Sequence, residues 1–430
     1  MLYATHRSIS KIFCYYEHKY KIRLSGGNPI KQKYLGAHGL IIFIAVLGAF
    51  VPLSTDLYLP ALPGMSDYFG MSASKVNLTL TTFFIFYALG TLIWGPLSDR
   101  YGRKPILLLG MGLYLTASSL CALMSSLDGL ILCRILQAIG GSAAGAIALA
   151  IVKDVYSGKK RESVLAIVQS MRLISPAVAP ILGAFLLKIM SWRGIFWALA
   201  FIGMVALVSS LLFEETIPQR TSGILLQTMS RLVKVLQNRR FTYLLALFSL
   251  GSLSSIAFIA SSTYIYQEGF QLSSQMYSFY FSLNAMGMIA GPMIYLWLSR
   301  HFNTLNIIWA CFAIIATSGL FVWMLGNLQP LIFALCILPG STAASCLRPP
   351  STNLMLEQHE GDTGVLSSLI GCTGLLMGSL GIQLISIQWS NRIIALGIIM
   401  LSVACISLLV WPYMIRLITP SLSKPKSLEI

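Results

Sequence analysis

Twelve long apolar stretches follow one another in this sequence, and a chain built that way has few ways to fold. A helix crossing a bilayer needs about 20 mostly apolar residues, and only helices and closed barrels satisfy the backbone there. Breaking at charges, prolines and glycines places the stretches at 39–60, 77–98, 105–125, 128–153, 162–189, 194–213, 241–265, 275–299, 305–325, 330–356, 364–386 and 391–416. Of the 430 residues, 56% are hydrophobic and 10% charged, against about 25% charged in soluble domains. So little charge cannot cover a soluble surface. The expected fold is an all-α integral membrane protein with twelve spans. An ordinary soluble enzyme, a disordered tail protein and a secreted disulfide scaffold are excluded.

The net charge of +16 would point to nucleic acid in a soluble chain. Here its distribution gives another meaning. Twenty-three of the 30 Lys and Arg residues fall in alternate connections and the two tails. Four (Lys75, Lys188, Arg193 and Arg392) fall on the opposite side, and Arg134, Arg172 and Arg348 lie inside spans. The positive-inside rule then puts both termini of this multi-pass protein in the cytoplasm. The lipid bilayer is a partner, nucleic acid is not, and a monomer is expected. Residues 1–38 read as a basic cytoplasmic tail or the product of an upstream start codon, with a lipid-surface anchor as the alternative. The largest polar break, 214–240, reads as a cytoplasmic linker between six-helix bundles at 39–213 and 241–416, with 417–430 as a second tail. Leu97-Ser98-Asp99-Arg100-Tyr101-Gly102 after the second span is echoed by Leu298-Ser299-Arg300-His301-Phe302-Asn303 after the eighth. That placement supports a duplicated six-helix unit and alternating access between its copies.

Residues for other functions are missing. Seven cysteines lie in apolar stretches and Cys14 in the tail, without C-x-x-C, so no metal or disulfide framework is indicated. The five histidines (His6, His18, His38, His301 and His359) lie in tails or loops, which argues against a polytopic enzyme. No Walker A string occurs and no filter-like repeat suggests a channel. No cofactor is expected.

Gly95-Pro96-Leu97-Ser98-Asp99-Arg100-Tyr101-Gly102-Arg103-Lys104-Pro105 is the sharpest string. Gly95 would let a neighbouring helix approach closely, Gly102 turns the chain, and Pro105 starts the next helix. Arg103 and Lys104 can reach acids such as Asp154; a plain positive-inside tether is the alternative. The string resembles motif A of the major facilitator superfamily (MFS), with Gly95, Leu97, Asp99, Arg100, Gly102, Arg103 and Lys104 matching. That resemblance implies two pseudo-symmetric six-helix bundles and a gating latch of Asp99, Arg100, Arg103 and Asp154. Ser54-Thr55-Asp56-Leu57-Tyr58-Leu59-Pro60-Ala61-Leu62-Pro63 resembles the first-span signature of twelve-span drug:proton antiporters, most of all the bicyclomycin/chloramphenicol-resistance (Bcr/CflA) branch; such antiporters lie in a bacterial inner (plasma) membrane. Pro176, Ala179-Pro180 and Gly183 resemble a degenerate motif C, and Arg134-Ile135-Leu136-Gln137 resembles motif B. The resemblance covers residues 39–416 and implies a multidrug-efflux antiporter driven by the proton gradient. A metabolite or nucleoside exporter, or an uptake carrier, of the same fold is the alternative.

Few charged groups lie within the spans, and a charge there is costly unless it lines a cavity or finds a partner. Asp56 is the one carboxylate clearly inside a span, and a carboxylate balanced between desolvation and a nearby cation can bind and release a proton. Arg134 sits at similar depth, with Gln137 on its face, so an Asp56–Arg134 proton-coupling pair is expected, direct or through water. Arg172 and Arg348 add positive charge, favouring neutral or anionic substrates unless Asp154 or Glu162 neutralises Arg172. Pro349-Pro350 frees carbonyls beside Arg348. Tyr58, Gln137, Tyr264, Tyr266 and Asn284 complete the substrate-cavity candidates. Gly371, Gly374, Gly378 and Gly381 of the eleventh span are expected to permit close packing.

Overall fold

The computed structural model describes residues 32–217, 225–358 and 363–422. Most of the two tails, part of the linker and His359 lie outside the described residues. Among the described residues, eleven helices are long and apolar enough to cross a membrane, and a twelfth crossing forms if the bent first segment is counted as one span. The first span runs Gly36–Asp56, makes a 3₁₀ turn at Leu59–Ala61 and continues as Leu62–Phe69. The next five are Ala73–Tyr101, Arg103–Leu123, Leu127–Val155, Gly158–Ile189 and Trp192–Leu212. The second set starts with Arg239–Tyr264, extended by a π-helical turn at Ile265–Gly269. It continues with Ser274–Leu298 and Thr304–Leu325, then a tenth span broken into Pro330–Cys346 and Arg348–Leu356. Thr363–Ser386 and Arg392–Leu422 are the last two. Inside the polar linker the structure adds an amphipathic helix, Leu225–Gln237.

The breaks follow from the sequence. Pro52 cannot donate a backbone hydrogen bond, and the first span bends by 46° there. Pro349 and Pro350 start a new helix, the one place in a helix where a missing N–H is harmless. Asn238, Ser273 and Asn303 cap the helices that follow them.

Packing respects the duplication. In the first half the third span packs on the fourth and sixth, and the first on the fifth. In the second half the ninth packs on the twelfth, and the seventh on the eleventh. The halves meet where the second span touches the eleventh and the fifth touches the eighth, two contacts related by exchanging the halves. One detail repeats at atomic level. A Cβ on Gly183 of the fifth span would collide with the Leu57 carbonyl, and one on Gly381 of the eleventh with the Leu253 carbonyl. Close approach is thus enforced at equivalent helix pairs. Gly378, against Ile256, meets the expectation for its span, whereas a Cβ on Gly371 would meet nothing.

Candidate functional site

The site is organised by the broken first span. Pro52 leaves the Gly48 carbonyl without its helical donor, and Arg172 Nε of the fifth span donates to that oxygen at 3.1 Å. Six residues on, the chain tightens: the Tyr58 amide turns to Thr55 O at 3.3 Å. That frees the Ser54 carbonyl, which accepts from Arg134 Nη1 at 3.2 Å. Two arginines from different spans thus terminate one interrupted helix. Neither Asp154 nor Glu162 neutralises Arg172; Asp154 is engaged with Arg103.

Arg134 is completely buried. Its Nη1 also donates to Gln137 Oε1 at 2.6 Å, and Gln137 Nε2 donates to Ser118 Oγ at 2.8 Å. The guanidinium lies 4.3 Å from the Phe83 ring centroid and 5.0 Å from that of Tyr58, a cation–π environment. Its Nε and Nη2 have no hydrogen-bond partner among the described residues. Asp56, 5% exposed, ends the helical segment two residues beyond Ser54. Thr55 Oγ1 donates to its Oδ1 at 3.1 Å. The direct form of the expected couple is absent: among the described residues no ion pair joins Asp56 to Arg134. The cause is local, because Arg134 is drawn to the open Ser54 carbonyl and to Gln137. Asp56 instead lies within electrostatic reach of the Tyr277 phenol in the second half.

The halves are hydrogen-bonded at the end away from the termini. Ser278 Oγ donates to Pro180 O at 2.9 Å, Ser282 Oγ to Ala177 O at 2.7 Å and Gln275 Nε2 to Ala184 O at 3.2 Å. Gln267 Nε2 donates to Pro60 O at 3.1 Å, Asn77 Nδ2 to Ser386 Oγ at 2.8 Å and Gln383 Nε2 to Thr81 Oγ1 at 2.6 Å. The segment Pro176–Gly183 therefore holds the eighth span on one side and the first on the other.

This closure changes the place of several cavity candidates. Tyr58, Gln137, Tyr266 and Asn284 have no exposed surface and Tyr264 has 1%, so none of the five lines an open cavity here. Tyr58 bonds Thr79 at 2.8 Å inside the Arg134 box, and Tyr266 stacks on Tyr280 at 5.2 Å. Asn284 donates to its own helix at Tyr280 O, 3.2 Å away. Arg172 is partly exposed. Arg348 does line a small cavity, of about 20 Å³, inside the second half.

At the other end, the loop between the second and third spans forms a charge cluster around a buried arginine. Arg103, 6% exposed, pairs with Asp99 at 2.5 Å and with Asp154 at 2.9 Å, and donates to Ser98 Oγ at 2.6 Å. Gly102 has φ +106°, a conformation that disfavours side chains. Arg100 lies over the Tyr101 ring at 5.3 Å and Lys104 Nζ donates to Leu211 O at 2.8 Å. Gly95 corrects its expectation: a Cβ there would meet nothing within 4 Å, because its face is only partly covered. Sequence reasoning missed Glu215. Its carboxylate accepts the Arg103 amide at 2.9 Å and the Lys104 amide at 3.1 Å, capping the third span where the helix dipole favours an anion. The signal was the acidic pair Glu214-Glu215 directly after the sixth span.

Comparison with known proteins agrees with this architecture. The family model for the Major Facilitator Superfamily matches residues 44–382. The chain is 30% identical to the uncharacterized MFS-type transporter YdgK of Bacillus subtilis, over 88% of this chain and 95% of that one. It is 31% identical to a chloramphenicol resistance protein of Pseudomonas aeruginosa, over 85% and 90% of the two chains. A crystal structure of a peptide transporter, POT, superposes with TM-score 0.71 at 14% identity, covering 92% of this chain and 97% of that one; the likeness is one of fold.

Proposed function

The chain belongs to the Major Facilitator Superfamily and is a multi-pass membrane transporter rather than an enzyme, and from that premise we propose that it exports small drug-like molecules in exchange for protons. The reading places it in a bacterial plasma membrane as a monomer with both termini cytoplasmic. It needs no cofactor and draws on the proton gradient. The similarity to a chloramphenicol resistance protein and the Asp56 and Pro176–Pro180 motifs favour the Bcr/CflA-like efflux branch.

One observation carries the proton step: Asp56 is a buried carboxylate at the interruption of the first span, supported by a hydroxyl and paired with no cation among the described residues. A buried charge without a partner is unfavourable, whereas a neutral carboxyl at the same place is not. Proton binding and release at Asp56 therefore changes the stability of the packing around Leu57 and Tyr277. That packing joins the first span to the fifth and eighth, so protonation biases the seal between the halves. Arg134 holds the break in shape and acts as a positioning residue. In this reading the hydrogen-bonded end is the outer one, and substrate is accepted from the cytoplasm.

The test is proton release from purified, detergent-solubilised protein on adding compounds, together with gradient-driven transport in proteoliposomes. Asp56→Asn should abolish both while keeping substrate binding and counterflow. Gradient-driven transport retained in Asp56→Asn would remove the reading.

A further inference from the structure

We infer that the Arg348 cavity is an anion-binding subsite and that the molecules moved by this transporter include amphiphilic organic monoanions, such as aryl carboxylates and sulfonates. The inference deepens the proposed function by naming a substrate class, and it rests on reading the chain as a small-molecule carrier.

The cavity lies within the second half, walled by the seventh to tenth and twelfth spans, and has about 20 Å³ of free space in this arrangement. That is of the order of one water, so a ligand enters only where the walls open around Arg348. Arg348 is the one charged residue among those lining it. Arg348 is exposed and lines this space. Among the described residues no carboxylate pairs with it and no acceptor takes a hydrogen bond from its guanidinium. This separates it from three other arginines: Arg134 and Arg172 terminate a broken helix, and Arg103 is paired with two acids.

Its surroundings divide by chemistry. Ser254, Ser255, Ser341 and Ser345 supply hydroxyls, each now donated to a helix carbonyl. Ser254 and Ser255 share the Gly251 carbonyl at 3.2 and 2.9 Å, so either can turn to an incoming anion while the other keeps that carbonyl bonded. Phe258, Met288 and Met400 make the remaining wall apolar. Pro349 and Pro350 have no N–H to offer at the start of the helix, which leaves the guanidinium as the main donor. A planar fork of donors with no partner, beside hydroxyls and an apolar wall, matches a carboxylate or sulfonate on an aromatic body. A lipophilic cation meets a like charge there. A neutral molecule leaves the guanidinium without an anion.

The probes are 2-naphthalenesulfonate and its neutral isostere 2-naphthalenesulfonamide, bound to the full-length protein in detergent and read by competition and thermal shift. The wild type should bind the sulfonate more tightly. Arg348→Gln should reduce sulfonate affinity about 10–100-fold and leave sulfonamide affinity within about twofold. Arg348→Lys, which keeps the charge but loses the fork, should fall between. Ser341→Phe fills the cavity without touching the charge and should weaken both probes, which keeps the test decisive should Arg348→Gln fail to fold. Equal wild-type affinity for the two probes, an equal loss of both in Arg348→Gln, or unchanged binding in Ser341→Phe would overturn the assignment. Because binding needs no gradient, Asp56→Asn should retain the sulfonate preference. Loss of proton coupling with that preference intact would remove the antiport reading alone; gradient-driven sulfonate export unchanged in Arg348→Gln would remove the anion subsite alone.

Discussion

Gly183→Ala tests whether the broken first span and the seal between the halves are mechanically one object. A Cβ at position 183 would fall against the carbonyl oxygen of Leu57, 3.0 Å from its carbon and 3.4 Å from its Cα. All three are backbone atoms and cannot rotate away, so the fifth span must move off the first. The same stretch of the fifth span accepts the bonds from Ser278, Ser282 and Gln275, and its displacement strains all three. Inserting one methyl into a packed contact of this kind costs about 1–3 kcal/mol. Concentrated on the sealed state, that is a factor of about 5 to 150 in its population relative to the open one. Hydrogen exchange read by mass spectrometry should show faster exchange in peptides covering Ala179–Ile189 and Ser274–Phe281, while the Arg103 cluster at the other end is unchanged. Gly381→Ala, against the Leu253 carbonyl, should behave alike in the second half. Unchanged exchange at both outer peptides would refute the mechanical link.

Asp154→Asn leaves Arg103, only 6% exposed, with Asp99 as its remaining acid; the loss should be about 1–3 kcal/mol, seen as a lower Tm in detergent, and an unchanged Tm would contradict the latch. Arg134→Lys keeps the charge but cannot reach both Ser54 O and Gln137; gradient-driven transport should fall at least about tenfold, with near-normal transport counting against a positioning role. Export of a monoanion against one entering proton moves two charges, so 100 mV contributes about 4.6 kcal/mol against 2.3 for a neutral cargo. Under a potassium–valinomycin clamp, 2-naphthalenesulfonate flux should therefore respond more steeply to voltage than sulfonamide flux, and equal slopes would contradict proton–anion exchange.

The spans were legible because burial in a bilayer demands a length of apolar sequence, and length is a local property. The latch was legible in part. Gly102 and the charges around it mark a turn, but Glu215 sits more than 100 residues away, and nothing local says that its carboxylate caps the third span. The depth of Asp56 and Arg134 could be counted along their helices. Their separation could not, since it depends on helix rotation and on competing acceptors. Hydropathy is also blind to what Pro52 does, because a proline inside an apolar run leaves the mean nearly unchanged while opening a carbonyl six residues before the Ser54 oxygen that Arg134 holds. The closed seal hid Tyr264, Tyr266 and Asn284 for a related reason: residues at the boundary between moving halves are buried in one arrangement and exposed in another.

The three unneutralised arginines inside the spans are not equivalent, and the difference explains how a bundle tolerates them. An interrupted helix exposes carbonyl oxygens that the membrane cannot hydrate. Arg172 and Arg134 answer the two interruptions at Gly48 and Ser54, so each offsets part of its own desolvation by removing that of a carbonyl. Their positive charge stays uncancelled, since a carbonyl is a dipole and not an anion. Asp56 lies beside this positive field without contacting it. A charge there is stabilised at a distance but lacks the direct pairing that would hold it ionised permanently, which is the condition for a group that must gain and lose a proton within one cycle. The tenth span also breaks, at Pro349-Pro350, yet the neighbouring Arg348 does not bond the carbonyls so released. Its guanidinium faces a cavity instead. The same device, a helix break beside an arginine, thus closes the first half upon itself and leaves the second half open to a ligand.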